Sequence, residues 1–160
     1  MKLGINGVAG GAGEVHIDMD KVRFAESAGF DSCWVSEIYG SDTISVASYI
    51  LSQTSKINVG TAIMQMRARS PAMCAMTAMS LTQLSGGRFI PGLGASGPQV
   101  IEGWHGELFG KPVTQLREYI QIMKTIFKRE GPLEFDGVEY QIPNKGPGST
   151  GLGKPLKSIL

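Results

Sequence analysis

The feature that most constrains this chain is a fourfold alternation. A short apolar run is followed by an amphipathic helical pattern, four times in succession, which predicts a parallel sheet with helices packed on it. The strands are read at Leu3–Val8, Ser32–Ser36, Ile57–Met64 and Arg88–Leu93. Asp18 caps a first helix running to Ala28, with Gly29 at the C′ position. Ser41 or Asp42 caps a second, with Val46, Ala47, Ile50 and Leu51 at helical spacing. Ser70-Pro71 opens a third, in which Met73, Met76 and Met79 read as core, and Ser85-Gly86-Gly87 stops it. Thr114 caps a fourth, with Leu116, Ile120, Met123 and Phe127 on one face. Leu133–Ile142 reads as a hairpin turning at Asp136-Gly137. Pro155–Leu160 reads as the start of a fifth strand.

Two α/β architectures fit this pattern. A doubly wound sheet of five strands would be complete in 160 residues. A (βα)₈ barrel, which needs roughly 200 residues or more, would be about half present. Charge and composition exclude other classes. Fifteen Lys and Arg against fourteen Asp and Glu give a net charge of +1, so no nucleic-acid or anionic-membrane partner is expected. No apolar run approaches the roughly 20 residues of a membrane span. The start, Met-Lys-Leu-Gly-Ile-Asn-Gly, has no signal-peptide core. Cys33 and Cys74 lack metal-ligand spacing and sit in apolar segments. They read as buried free thiols of a cytoplasmic protein, with no metal site. The 22 glycines are about twice the usual share of roughly 7%.

Gly92-Leu-Gly94-Ala-Ser-Gly97 follows a strand and fits the dinucleotide pattern G-x-G-x-x-G. That pattern needs a helix opening at the loop and an acidic residue about 20 positions on, after the next strand. Here Gly103, Gly106 and Gly110 break any long helix, and Glu118 falls inside a helix of its own. The earlier Gly7-x-x-Gly10-x-x-Gly13 is weaker, because its helix starts only at Asp18.

Five segments in order carry a family resemblance: Glu37-Ile-Tyr39-Gly40-Ser41-Asp42, Gly60-Thr-Ala-Ile63-Met-Gln65, Ser85-Gly86-Gly87-Arg88-Phe89, Gly92-Leu-Gly94-Ala-Ser96-Gly97-Pro98-Gln99-Val100 and Glu102-Gly103-Trp104-His105-Gly106. Together they resemble the luciferase-like monooxygenase family, in its coenzyme F420-dependent oxidoreductase branch, from residue 2 to the last. The resemblance implies that residues 1–160 are the N-terminal half of a (βα)₈ TIM barrel, one partial domain of four βα units plus a hairpin, cut near strand five. It implies a deazaflavin, or alternatively FMN, across the C-terminal ends of the strands. It also implies a non-proline cis peptide between Ala62 and Ile63 under the ring, which makes Ala62, Ile63 and Met64 cofactor contacts. An acidic residue near the ring corresponds to Glu37. Many relatives carry Asp-His there; this chain has Glu37-Ile38, so no histidine is carried over.

Several residues keep two readings. Glu37 at a strand's end faces the ring edge or relays a proton, or it is a carboxylate at the N-terminus of the second helix. Tyr39, Gly40 and Ser41 line a pocket, or form a capped turn. Ser96, Gly97 and Gln99 bring backbone close to a cofactor, or form a structural turn. His105 acts as acid or base, or packs on the surface. His16 is expected to be exposed. Arg67 and Arg69 meet an anionic tail, or are plain surface charges. Pro91 is out of place in a central strand and marks a bulge or damage.

The functional expectation is hydride transfer between reduced F420 and a small organic substrate. An FMN-dependent monooxygenase is the alternative, and a non-catalytic half-barrel or oligomerisation fragment is a third reading. A half barrel has two open sheet edges, so a homo-oligomer or a complementing C-terminal half is expected.

Overall fold

A computed structural model describes residues 1–10, 14–151 and 153–156. The four expected strands form one parallel sheet in sequential order, β1 (Gly4–Ile5), β4 (Ser32–Val35), β5 (Asn58–Thr61) and β7 (Phe89–Ile90). Between β1 and β4 lie a small antiparallel pair, β2 (Ala9–Gly10) with β3 (His16–Ile17), and helix α1 (Met19–Ser27). Helix α2 (Thr43–Gln53) follows β4. After β5 come β6 (Met64–Gln65), a 3-10 turn and helix α3 (Pro71–Leu84). After β7 come β8 (Leu93–Gly94), the single helical turn α4 (Pro98–Ile101) and helix α5 (Pro112–Lys128). A hairpin of β9 (Phe135–Asp136) and β10 (Gln141–Ile142) ends the ordered elements.

Strand order decides between the two architectures. A doubly wound sheet reverses direction at a switch point; here each strand pairs with the next. The helices cover one face. Cys33, Val35, Val59 and Phe89 point outward and are buried with Val22 and Ala25 of α1, Ala47 and Ile50 of α2, Ala75 and Ala78 of α3 and Ile122 and Ile126 of α5. Cys33 and Cys74 are free and buried, and burial pushes the Cys33 thiol up to about 11. This is the arrangement of half a (βα)₈ barrel.

The inward face carries Gly4, Trp34 and Gly60. Trp34 lies across both glycines, since a Cβ at Gly60 would enter its ring and one at Gly4 would come within 2.9 Å of its Nε1. Its Nε1 donates to Ser32 Oγ at 3.0 Å. One large ring thus fills lumen space that two missing side chains leave.

Several local expectations are corrected. The third helix turns Cys74, Ala75 and Ala78 to the sheet, while Met73 and Met76 are about half exposed (53% and 48%). Small side chains let the helix lie close to the strands, so Met73 and Met76 are not core, while Met79 is partly buried against it. Helix α5 starts at Pro112, which is preset for the first turn, and not with a Thr114 cap. Its buried face is Gln115, Glu118, Tyr119, Ile122, Met123 and Ile126, while Phe127 is exposed. Two polar members of that face find interior partners, which an apolar pattern cannot register. The hairpin turns over 137–140 and not at Asp136-Gly137, because the buried Glu118 carboxylate accepts from the amides of Val138, Glu139 and Tyr140 at 2.9, 2.9 and 3.0 Å. No strand is present at Pro155–Leu156, and 157–160, like Gly11 and Gly13, lie outside the described residues.

The strands are shorter than expected at the end that matters. The third is interrupted after Thr61 by a cis Ala62–Ile63 peptide and resumes as β6. The fourth is interrupted at Pro91-Gly92. There the Thr61 hydroxyl accepts from Gly92 N at 2.8 Å and donates to Gly92 O at 2.9 Å. Arg88 and Gly92 turn their backbone groups toward the third strand. By the alternation of a ladder, Pro91 faces the open edge. Its missing N–H therefore breaks no bond within this sheet.

At the opposite end, the Ser-Gly-Gly-Arg-Phe segment is a structural clasp. Gly86 and Gly87 take left-handed φ of 64° and 90°. Arg88 then spends all five of its donors, on Ser85 O, Thr54 Oγ1, Ile57 O, Leu51 O and Thr54 O, at 2.9–3.1 Å. It ties the last carbonyls of α2 to the start of strand four.

Candidate active site at the C-terminal ends of the strands

Glu37, just past the end of β4, is the centre of a polar network. Arg69 forks onto it, Nη1 to Oε2 at 3.0 Å and Nη2 to Oε1 at 2.8 Å. The amides of Thr43 and Gln65 add bonds to Oε1 and Oε2 at 3.1 and 2.9 Å. A carboxylate has about four lone-pair sites, and all are taken. Its side chain is 7% exposed. Burial pushes the carboxyl up, but the Arg69 fork and the two amides outweigh it and hold Glu37 below the usual carboxylate range. The bond from Thr43, first residue of α2, matches the reading of Glu37 as an N-terminal carboxylate. Asp42 is the true N-cap of that helix, accepting from Ile44 and Ser45 at 3.0 Å.

Gln65 links this network to His105. It is 1% exposed. Its side-chain Nε2 donates to Glu37 O at 3.1 Å, and its Oε1 lies 3.0 Å from His105 Nε2. Nothing in the sequence reading singled out Gln65 as a functional residue. Its only signal there is its place at the end of the second of the five motif segments.

Around this network lies a cavity of about 180 Å³ lined by Tyr39, Gly40, Ser41, Arg69, Trp104 and His105. Tyr39 and Trp104 meet edge to face, centroids 5.6 Å apart at 72°, a favourable aromatic geometry. The cavity thus brings Glu37, Tyr39, Gly40, Ser41 and His105 together from two separate loops, with Arg69 added from a third segment. A larger concavity of about 860 Å³ opens over the lumen, lined by Asn6, Gly7, Lys21, Trp34, Ser36 and Ala62. Lys21 donates from Nζ to Asn6 O and Gly7 O at 3.1 and 3.2 Å.

The other expected site residues divide. Ala62 borders the large concavity, and Ile63 is half-buried against Gly94, where a Cβ would come within 2.9 Å of Ile63 Cγ1. Met64 is fully buried in the core and lines neither cavity. Ser96 takes a left-handed φ of 60°, rare for a residue with a Cβ. The Gln99 amide folds over Gly97, where a Cβ would meet it at 2.6 Å. A Cβ at Gly92, Gly94 or Gly97 would meet Thr61 O, Ile63 or Gln99, so each of these glycines allows close packing. Arg69 is committed to Glu37 and, at 3.5 Å, Asp42, whereas Arg67 makes no ion pair among the described residues. His16 is exposed, as expected.

A family profile described as luciferase-like monooxygenase matches residues 6–152. The chain belongs to this luciferase-like monooxygenase family. A Mycobacterium tuberculosis (strain ATCC 25618 / H37Rv) relative, "Putative coenzyme F420-dependent oxidoreductase", is 45% identical over 99% of this chain and 46% of its own length. The luciferase-like fold is also seen in the coenzyme F420-dependent tetrahydromethanopterin reductase of Methanopyrus kandleri, with a TM-score of 0.70, 23% identity and coverage of 88% of this chain and 44% of that one. The FMN-bound oxygenating constituent of 3,6-diketocamphane monooxygenase from Pseudomonas putida matches with a TM-score of 0.66, 25% identity and coverage of 77% and 37%. The chain thus spans about half the length of its luciferase-like relatives. No helix among the described residues is long and apolar enough to cross a membrane.

Proposed function

We propose that this chain is the N-terminal half-barrel of a coenzyme F420-dependent oxidoreductase. The observation that carries the reading is the layout of the C-terminal face, where the large concavity, bordered by Ala62, and the cavity of His105 are both lined by residues just past the ends of the strands of one sheet. The 45% identical relative supports F420 over other ring cofactors. The residues present suit a flat ring with apolar faces and a polar edge. Trp34 and Ala62 offer apolar surface, while Asn6, Ser36 and the Lys21 ammonium offer donors. Volumes of roughly 300–1,000 Å³ are usual for such sites.

When bound, the deazaflavin supplies hydride chemistry at its C5 carbon. The chain's own part is positioning and proton handling. Ala62, at the border of the large concavity, and Ile63 would hold the ring through their backbone. Tyr39, Gly40 and Ser41, which line the small cavity, would hold the cofactor together with Ser96, Gly97 and Gln99. His105 holds or accepts a proton at the cavity wall. Glu37, with every acceptor site filled, is a positioning residue for the loops rather than a proton donor. The open edges of β1 and β7 support completion of the barrel by a further half, in the same chain or in another copy.

The test is fluorescence titration of the purified chain with F420 and with FMN. Saturable F420 binding without FMN binding is the expected result. FMN binding alone would move the assignment to the flavin-dependent monooxygenases, and binding of neither would leave a non-catalytic half-barrel.

A further inference from the structure

We propose that Gln65 is a positioning residue that fixes His105 as its Nε2–H tautomer and so offers His105 Nδ1, as a hydrogen-bond acceptor, to an O–H or N–H group of a ligand in the adjoining cavity. The inference deepens the reading of His105 as the proton-handling residue and rests on it for its role, though not for its geometry.

The argument follows the hydrogen bonds outward from the buried end. The Glu37 backbone carbonyl can only accept. The Gln65 side-chain atom 3.1 Å from it must therefore be the amide nitrogen, whatever orientation the electron-rich ends of a carboxamide might otherwise take. That places Gln65 Oε1 toward the ring, 3.0 Å from His105 Nε2. A carboxamide oxygen also only accepts, so in neutral His105 the proton is on Nε2 and the lone pair on Nδ1. Gln65 cannot turn to relax this choice, being 1% exposed and pinned by its own N–H on Glu37 Oε2 at 2.9 Å. Glu37 in turn is clamped by Arg69 and Thr43. Orientation thus passes from a fully bonded ion pair, through one buried amide, to the ring.

Nδ1 has no protein partner among the described residues, and the ring lines the cavity with Tyr39, Gly40, Ser41 and Trp104. A neutral acceptor at that wall favours a hydroxyl or amino group over a bare carbonyl or a carboxylate, which would set lone pair against lone pair. The ligand class is therefore an alcohol or an amine, or the reduced form of a carbonyl compound.

The two histidines make the test direct, because the exposed His16 is an internal reference. Long-range ¹H–¹⁵N correlation spectra of the ¹⁵N-labelled chain, at a pH where both rings are neutral, read the tautomer of each. His105 is expected to show a protonated Nε2 and a bare Nδ1, with little averaging, and His16 an averaged pattern. In Gln65→Met, and in Gln65→Asn, which is too short to bridge Glu37 and His105, the His105 pattern is expected to collapse to that of His16. An Nδ1–H signal, a His16-like pattern in the unaltered chain, or an unchanged pattern in both variants would overturn the proposal. If neither variant folds, the comparison of the two histidines in the unaltered chain decides. A locked tautomer in a chain that binds neither F420 nor FMN would sink the cofactor reading and leave the Gln65 assignment standing.

Discussion

Arg69 and Glu37, 32 positions apart, are joined by two parallel hydrogen bonds at 3.0 and 2.8 Å with both side chains largely buried. The pair ties the turn after β4 to the turn before α3, and the cavity that holds His105 lies against it.

Arg69→Ala leaves the Glu37 carboxylate buried without its counter-charge. Removing one partner of a buried pair costs about 3–5 kcal/mol, so urea unfolding is expected to shift by that order. The double variant Arg69→Ala with Glu37→Gln is expected to recover part of the loss. A double-mutant cycle showing additive effects would disprove the coupling.

Arg88→Lys keeps the charge and loses the fork. Lysine has three donors on one nitrogen and cannot reach five acceptors spread over Leu51, Thr54, Ile57 and Ser85. The expected cost is roughly 2–4 kcal/mol, since buried carbonyls at the end of α2 lose their partners. Hydrogen exchange of the 51–57 amides should rise with it; protection unchanged there would argue against the clasp.

Acid sensitivity should come from three glutamates. In Glu26, Glu37 and Glu118 burial pushes the carboxyl up, yet backbone amides, and for Glu37 the Arg69 fork as well, outweigh it and hold each below its ordinary value. A depressed native pKa gives stability that is present above the unfolded value, about 4.3, and is lost as pH falls through the native one. Denaturant midpoints should thus be flat from near neutrality to about pH 5 and fall below about pH 4. Glu118→Gln, which loses a charged acceptor for three amides, should lower stability at neutral pH by about 1–3 kcal/mol and make the acid limb shallower. A variant as acid-sensitive as the parent chain would exclude Glu118 from this role.

Gly60→Ala places a methyl group inside the Trp34 ring. Either the ring moves or the strands part, at a cost of about 1–3 kcal/mol. In a Trp104→Phe background, the remaining tryptophan fluorescence should shift to the red as Trp34 is displaced into the lumen. Unaltered emission would show that the ring does not rest on Gly60.

Short-range features were legible from sequence, and long-range ones were not. Asp18, Asp42 and Ser70 act as caps on amides two or three residues away, so the local pattern announces them. The parallel sheet follows from alternation of two periods, whereas its sequential strand order does not, because a doubly wound sheet has the same alternation. The cis peptide at 62–63 and the cavity membership of Tyr39, Gly40, Ser41 and His105 were reachable through the ordered motifs. By contrast, Gln65 reaches His105 across 40 positions, Arg88 reaches Leu51 across 37, and Glu118 reaches Tyr140 across 22. Such polar side chains have no periodicity, and only the folded chain reveals what they hold. The strand ends were overestimated for a related reason, because apolar residues continue through the interruptions at Ala62 and Pro91.

Pro91 leaves the outer border of the fourth strand notched rather than blank. A strand laid along that border finds backbone donors at Phe89 and Leu93 and none between them. Any segment that closes the barrel there must arrive with a gap at the matching rung, so the border itself carries alignment information. The same notch discourages indiscriminate strand addition, giving an otherwise vulnerable margin a form of selectivity.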